Sequence, residues 1–160
     1  MISERYKKQI LLLAITFIFF AYMTGLNLNY LNPRNIDWIF FAGNLEDGSL
    51  YWFGWEFFRW TNIIQYPLLD NYPYGEELNI SLIYNDSIPI MSIFLKFFTN
   101  YLGFPFQFFG LWHLICIYLQ ALFTLKILDM FINSKRIKFL LISIILLTPV
   151  LVFSLLLNHA

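Results

Sequence analysis

The side chains of this sequence that could do chemistry are carboxylates, and most of them lie in one stretch. Carboxylates can act as general bases toward a hydroxyl group, or can hold a divalent cation against a phosphate leaving group. The plainer interpretation of any one of them is a solvated loop charge. Eight of the 10 acidic residues fall between positions 29 and 86: Asp37, Glu46, Asp47, Glu56, Asp70, Glu76, Glu77 and Asp86.

The composition excludes an ordinary soluble domain. Residues of the AVILMFWYC set make up 59% of the chain, only 12% are charged, and the mean hydropathy is +0.64. Soluble domains have about a quarter of their residues charged, so lipid must solvate part of this chain. A formal net charge of +0 gives no electrostatic reason to expect a nucleic-acid partner. The expected partner is therefore the lipid bilayer.

Three apolar runs are long enough to cross the hydrocarbon of a membrane, which takes about 17 to 20 residues of helix. They cover residues 10–28, 104–128 and 139–157. The stretch between the first two, residues 29–103, is too acidic to lie in lipid and too aromatic to be a disordered linker. We therefore expect an all-α membrane protein with about three transmembrane helices and an ordered extracytoplasmic loop.

Two segments of this loop are predicted to be helices that lie on the membrane surface. The first covers residues 50–60, where Trp52, Trp55 and Trp60 would contact the headgroups. The second covers residues 87–102, which are marginal for a full crossing. On this second segment Lys96 is expected to reach toward the headgroups.

Basic residues determine the expected orientation, because they accumulate on the cytoplasmic side of membrane helices. They precede the first run and follow the second, so both flanks are expected to be cytoplasmic and the acidic loop extracytoplasmic. We treat residues 1–160 as a single N-terminal transmembrane module. Three helices offer the long loop little to pack on, so we expect a fragment of a larger protein. The basic residues are Arg5, Lys7, Lys8, Lys135, Arg136 and Lys138.

Four short motifs occur in a recognisable order. They are NPRNIDW at 32–38, ED at 46–47 followed by GWEFFR at 54–59, YNDSIPI at 84–90, and FQFFGLWHLICIYLQALF at 106–123. Together they resemble the N-terminal part of an uncharacterised family of large bacterial membrane proteins. That family is similar to the GT-C superfamily of glycosyltransferases, which use polyprenyl-phosphate-linked sugars. The resemblance covers residues 32–160.

The resemblance implies a fold and a set of site residues. A GT-C-like module has a first extracytoplasmic loop that contains interfacial helices and the catalytic acidic residue. The family pattern places this residue at Asp47, although Glu46 stands where the family has glycine. Asp86 is the expected second acidic group, for a metal or for phosphate positioning. Glu46 and Arg59 are the expected substrate-binding residues, with Arg59 facing the lipid phosphate as a bidentate donor.

Two functions from different classes remain open at this point. In the first, the chain is part of an enzyme of the plasma (inner) membrane that transfers a sugar from a lipid-phosphate carrier on the extracytoplasmic side. The 160 residues alone are then expected to be inactive, and a divalent cation is one candidate cofactor. In the second, the chain is a non-catalytic small membrane protein, such as an assembly or export subunit. Asp47 and Asp86 converge in a pocket only in the first.

Overall fold

The structure, a computed structural model, describes residues 4–41, 45–74, 80–85 and 87–148, and within these ranges it is helical without strands. The expected all-α fold is therefore confirmed for this part of the chain. The side chains at positions 4, 5, 41 and 45–47 lie outside the description. Seven α-helices are present in it, α1 Glu4–Met23, α2 Asp37–Phe41, α3 Leu45–Phe58, α4 Pro89–Lys96, α5 Thr99–Leu102, α6 Phe109–Phe131 and α7 Lys135–Leu146, with 3-10 turns at Leu28–Leu31 and Leu82–Asn85.

The chain divides into two compact units. The first, which we call the long-helix unit, contains residues 4–32 and 108–148 of the described ranges. The second, which we call the loop unit, contains residues 33–107. The predicted extracytoplasmic loop of residues 29–103 thus corresponds closely to a unit with its own internal packing.

Two helices of the long-helix unit are long and apolar enough to cross a membrane, among the residues that the structure describes. They are Tyr6–Met23 in α1 and Phe109–Phe131 in α6. The first ends before the predicted position 28, because Gly25 and Leu26 both have positive φ and turn the chain. The second begins after the predicted position 104. The predicted third run, 139–157, begins within α7, and its part beyond residue 148 lies outside the described residues.

The core of the long-helix unit is apolar and contains small residues at its close approaches. The carbonyl oxygen of Tyr30 lies so close to Gly110 that a Cβ built there would be 1.9 Å from it. Ala121 is fully buried in the middle of α6. The absence of a side chain at Gly110 lets the backbone of the 3-10 turn at Leu28–Leu31 approach α6 closely. The buried cluster consists of Leu12, Phe20, Met23, Ile117, Ala121, Leu125, Ile142 and Leu146.

The connection between α6 and α7 is shorter than residues 129–138, which separate the second and third predicted apolar runs. Helix α6 continues to Phe131 and α7 begins at Lys135, so only residues 132–134 connect them. Lys138, in the first turn of α7, pairs with Asp129 in the last turn of α6. This ion pair connects the end of α6 to the beginning of α7.

In the loop unit, α3 is the central element. Trp52, Trp55 and Phe58 are buried along it. The indole nitrogens of Trp52 and Trp55 both donate to the carbonyl oxygen of Phe106, each at 3.2 Å. The prediction that Trp52 and Trp55 contact headgroups is therefore wrong, because both rings form the core of the unit. Trp60 is exposed, and its contact with headgroups stays a prediction.

Candidate functional site

The sequence-predicted site residues fall at three places. Asp86 lies outside the described residues. Glu46 and Asp47 belong by their backbone to the first turn of α3, and their side chains lie outside the description. Arg59 follows the last residue of α3. At a rise of 1.5 Å per residue, Asp47 and Arg59 lie about 18 Å apart along the helix axis, at its opposite ends.

Arg59 is buried in the loop unit, with 2% of its surface exposed. Its Nη2 donates to the carbonyl oxygen of Gly103 at 2.8 Å, and its Nε lies 3.1 Å from Oε1 of Glu56. The guanidinium also lies over the ring of Trp60, 4.8 Å from the centroid. Its Nη1 has no hydrogen-bond partner among the described residues. Nη2 and Nε are thus held by protein groups, and Nη1 remains available to donate to another group.

Glu56 is the counter-ion of Arg59. Its Oε1 accepts a hydrogen bond from the indole of Trp60 at 3.0 Å, whereas its Oε2 is buried without a partner in the part of the chain that is described. Burial raises the pKa of Glu56, and Trp60 and Arg59 oppose this effect. Burial likewise lowers the pKa of Arg59 from its ordinary value, opposed by Glu56. The interactions of Glu56 and Arg59 with each other and with Trp60 therefore do not fully offset the cost of removing both charges from water.

Lys96, at the end of α4, provides a second buried cation, with 4% of its surface exposed. Its Nζ donates to Oγ1 of Thr61 at 2.5 Å and lies 4.0 Å from the centroid of the Phe58 ring. Burial lowers its pKa to about 8. The prediction that Lys96 reaches toward lipid headgroups is therefore wrong, because the side chain points into the loop unit.

Arg59 and Lys96 line the same cavity, which has a volume of about 140 Å³. The nearby Arg34 guanidinium adds positive charge, since it acts on Arg59 as a like charge. Glu56 is the carboxylate that the described residues place against this group. The cavity can therefore receive an anion with several acceptor oxygens. Its lining consists of Arg59, Trp60, Thr61, Ile63, Lys96, Phe97, Thr99 and Asn100.

Sequence reasoning found Arg59 but missed the partners that make the cavity. Lys96 was assigned to the membrane surface, although one signal in the sequence indicates its inward direction. Ser92, Lys96 and Thr99 are spaced by four and three residues in an otherwise apolar segment, so they share one face of a helix. A polar stripe on an apolar helix faces protein when lipid surrounds the helix. No three His, Cys, Asp or Glu side chains that the structure describes come together as metal ligands.

The buried position of Lys96 predicts a rise in stability at alkaline pH. Its pKa is about 8 in the folded protein against an ordinary 10.5. Between these values the unfolded chain holds more protons than the folded one, so the free energy of unfolding rises with pH. Below about pH 8 both states hold the proton and the contribution is constant. Denaturation in detergent across pH 7 to 11 should show this rise in the wild type and not in Lys96→Met, and identical pH profiles would contradict it.

Comparison with known proteins gives one match. No curated protein and no solved structure matches the chain. The match is to a family described as "Domain of unknown function (DUF6311)", and it extends over residues 12–160, which includes the loop unit with its cavity and the described helices α2 to α7. Because this match covers nearly all of the 160 residues, the chain belongs to the DUF6311 family.

Proposed function

We propose that the chain is the N-terminal membrane module of a glycosyltransferase-like protein that takes a sugar from a polyprenyl-phosphate carrier. In this proposal the cavity of the loop unit binds the phosphate of the carrier. The supporting observation is that two buried cations, Arg59 and Lys96, line one cavity. A buried cation without full compensation costs free energy, and a phosphate anion supplies the missing negative charge.

The donors available in the cavity suit a phosphate group. Nη1 of Arg59 has no hydrogen-bond partner within the described ranges, and the ammonium of Lys96 carries more protons than its bond to Thr61 uses. Charge-assisted hydrogen bonds to phosphate are short and about twice as strong as neutral ones.

The rim of the cavity favours a lipid-linked phosphate over a small soluble one. Trp60, Ile63 and Phe97 line the cavity and are largely exposed. Thr61 and Lys96 supply polar atoms to the same cavity. A molecule with a phosphate head and a hydrocarbon tail can satisfy both kinds of surface at once.

The proposed orientation follows the basic residues at the flanks of the long helices. Lys7 and Lys8 belong to the first turns of α1, and Lys135 and Arg136 begin α7. With these flanks in the cytoplasm, α1 and α6 cross the plasma (inner) membrane and residues 33–107 face the extracytoplasmic side. A polyprenyl-phosphate carrier presents its sugar on that side, so the topology and the cavity support the same donor.

The chemistry that we propose keeps the roles implied by the family resemblance. Asp47 takes the proton of the acceptor hydroxyl, whose oxygen then attacks the anomeric carbon of the sugar. Because Asp47 and Arg59 lie about 18 Å apart along α3, the cavity holds the carrier phosphate before transfer, and the reaction takes place at the Asp47 end of the helix. The bond from that carbon to the phosphate oxygen breaks, and its electron pair remains on the carrier phosphate. Glu46 contributes to substrate binding. Asp86 positions the phosphate or holds a divalent cation, if the reaction uses one.

A transfer assay with Asp47→Asn tests this function. In membranes that contain the full protein, we expect at least a tenfold loss of sugar transfer from the polyprenyl-phosphate donor, because the base is lost. Asp37→Asn is the matched control, since Asp37 is also an acidic residue in the first turn of a helix of the loop unit. Equal activity of the wild type and Asp47→Asn would contradict the assignment. Absence of transfer in all three proteins would favour the non-catalytic membrane subunit.

A further inference from the structure

Helices α4 and α5 have an inverted distribution of polar and apolar side chains. Together with the turn between them they form one nearly continuous helical segment, residues 89–102. The polar residues Ser92, Lys96 and Thr99 are buried on its inner face. On the opposite face, the exposed fractions are 72% for Ile90, 58% for Phe94, 59% for Phe97, 45% for Phe98 and 86% for Tyr101.

The five exposed residues form one stripe. Their spacing of four, three, one and three residues keeps them within about a third of the circumference of a helix at 3.6 residues per turn. A helix on a water-facing surface has its apolar stripe toward the protein core and its charged residues toward solvent. Here the order is reversed for the buried Ser92, Lys96 and Thr99 and for the exposed apolar stripe. The apolar stripe therefore requires an apolar medium outside the protein.

Specific contacts hold the polar face inward, so the reversal does not come from a loosely attached helix. Oγ of Ser92 donates to the carbonyl oxygen of Ser87 at 2.5 Å. Oγ1 of Thr99 donates to the carbonyl oxygen of Lys96 at 2.8 Å and approaches that of Arg59 at 3.2 Å. Two contacts join the segment to the residues that follow α3, the Lys96–Thr61 bond and the approach of Thr99 to the Arg59 carbonyl. Rotating the apolar stripe inward would break both.

We propose that the stripe of Ile90, Phe94, Phe97, Phe98 and Tyr101 is a lipid-binding surface that lies in the bilayer interface. Lipid is favoured over a protein partner by the charge pattern, since Lys96 is the one Asp, Glu, Lys or Arg residue between positions 87 and 125, and it points inward. The same chain carries two helices able to cross a membrane. Fourteen residues of helix span about 21 Å, less than the hydrocarbon thickness, so the segment lies along the surface.

This surface gives the cavity a route to the membrane. Phe97 belongs both to the stripe and to the lining of the cavity, next to Lys96. A lipid whose tail stays in the bilayer can therefore place its phosphate at Lys96 and Arg59 without leaving the membrane. This consequence rests on the proposed function, whereas the lipid-binding surface itself does not.

Fluorescence quenching in proteoliposomes of phosphatidylcholine tests the surface without any substrate. Cys116, the one cysteine of the chain, is first replaced by serine. Phe94→Cys and Tyr101→Cys are then labelled separately with an environment-sensitive fluorophore. The matched control is Asn62→Cys, at an exposed polar position of the same unit. Lipids that carry a doxyl group quench fluorophores in the bilayer, and iodide quenches those in water.

We expect doxyl lipids to quench the fluorophores at positions 94 and 101 strongly and iodide to quench them weakly. The fluorophore at position 62 should show the opposite order. Strong iodide quenching at 94 and 101 would overturn the proposal, because the stripe would then face water. Weak quenching by both agents would also overturn it, because protein, such as a second copy of the chain, would then cover the stripe. Neither result depends on sugar transfer, so this test can fail while the proposed function stands.

Discussion

Lys96→Met is expected to weaken the binding of farnesyl phosphate, a short polyprenyl phosphate, by roughly 10- to 100-fold. A hydrogen bond to a charged group contributes about 1.5 to 3 kcal/mol, and each 1.4 kcal/mol corresponds to a factor of ten in affinity. Methionine is similar to lysine in shape but has no charge and donates no hydrogen bond. Since Lys96 is buried and desolvated, its loss should leave the folded state as stable or more stable.

Titration of the protein in nanodiscs with farnesyl phosphate and with farnesol separates the phosphate from the hydrocarbon. The wild type should bind the phosphate much more tightly than the alcohol, and Lys96→Met should reduce this preference by roughly 10- to 100-fold, since Arg59 remains in the cavity. Lys135→Met is the control, because Lys135 is exposed in the long-helix unit. Affinity for the phosphate should also fall as the pH rises through about 8, where Lys96 loses its proton. An unchanged affinity in Lys96→Met would exclude the cavity as the phosphate site.

Gly110→Ala is expected to destabilise the long-helix unit by at least about 3 kcal/mol, the upper part of the range for overpacked sites. The added Cβ would lie 1.9 Å from the carbonyl oxygen of Tyr30 and 2.7 Å from its carbonyl carbon. Both atoms belong to the backbone, so no side-chain rotation can relieve the overlap. The first turn of α6 would have to move away from the 3-10 turn at Leu28–Leu31.

Gly25→Ala separates this steric effect from the conformational freedom of glycine. Gly25 has a φ of +59°, and a Cβ at this position meets no atom within 4 Å. Its replacement should cost only about 1 to 2 kcal/mol, the strain of an L residue in the left-handed region. Denaturation of both variants in detergent measures the difference. Equal losses for the two variants would contradict the close approach at Gly110.

The two units of the chain are held together by different kinds of contact. In the long-helix unit, Gly110 allows the backbone of the 3-10 turn at Leu28–Leu31 to approach α6. In the loop unit, side-chain donors hold an irregular segment, because Arg59, Trp52 and Trp55 all donate to carbonyl oxygens between Gly103 and Phe106. The first arrangement does not tolerate a larger side chain at position 110, whereas the second fixes the position of the Arg59 guanidinium.

Local composition determined the architecture of this protein. Apolar runs of sufficient length, together with the acidic and aromatic stretch between them, predicted an all-helical chain with an ordered loop, and the described residues agree. Hydropathy and composition are properties of residues that are neighbours along the chain, so they can be read from a single sequence. The helix ends shifted by several residues, because the turn at Gly25 and Leu26 depends on backbone angles that hydropathy does not report.

The cavity was decided by tertiary structure. Arg59 and Lys96 are 37 positions apart, and nothing in the sequence pairs them until α4 packs on the end of α3 through Thr61 and Thr99. The sequence placed Lys96 and two tryptophans at the lipid surface because it shows that a residue is amphipathic and not which way it points. The direction in which a side chain points depends on contacts between distant segments. Lys96 on the polar face of α4 donates to Thr61 inside the loop unit, so the apolar face of α4 is directed outward.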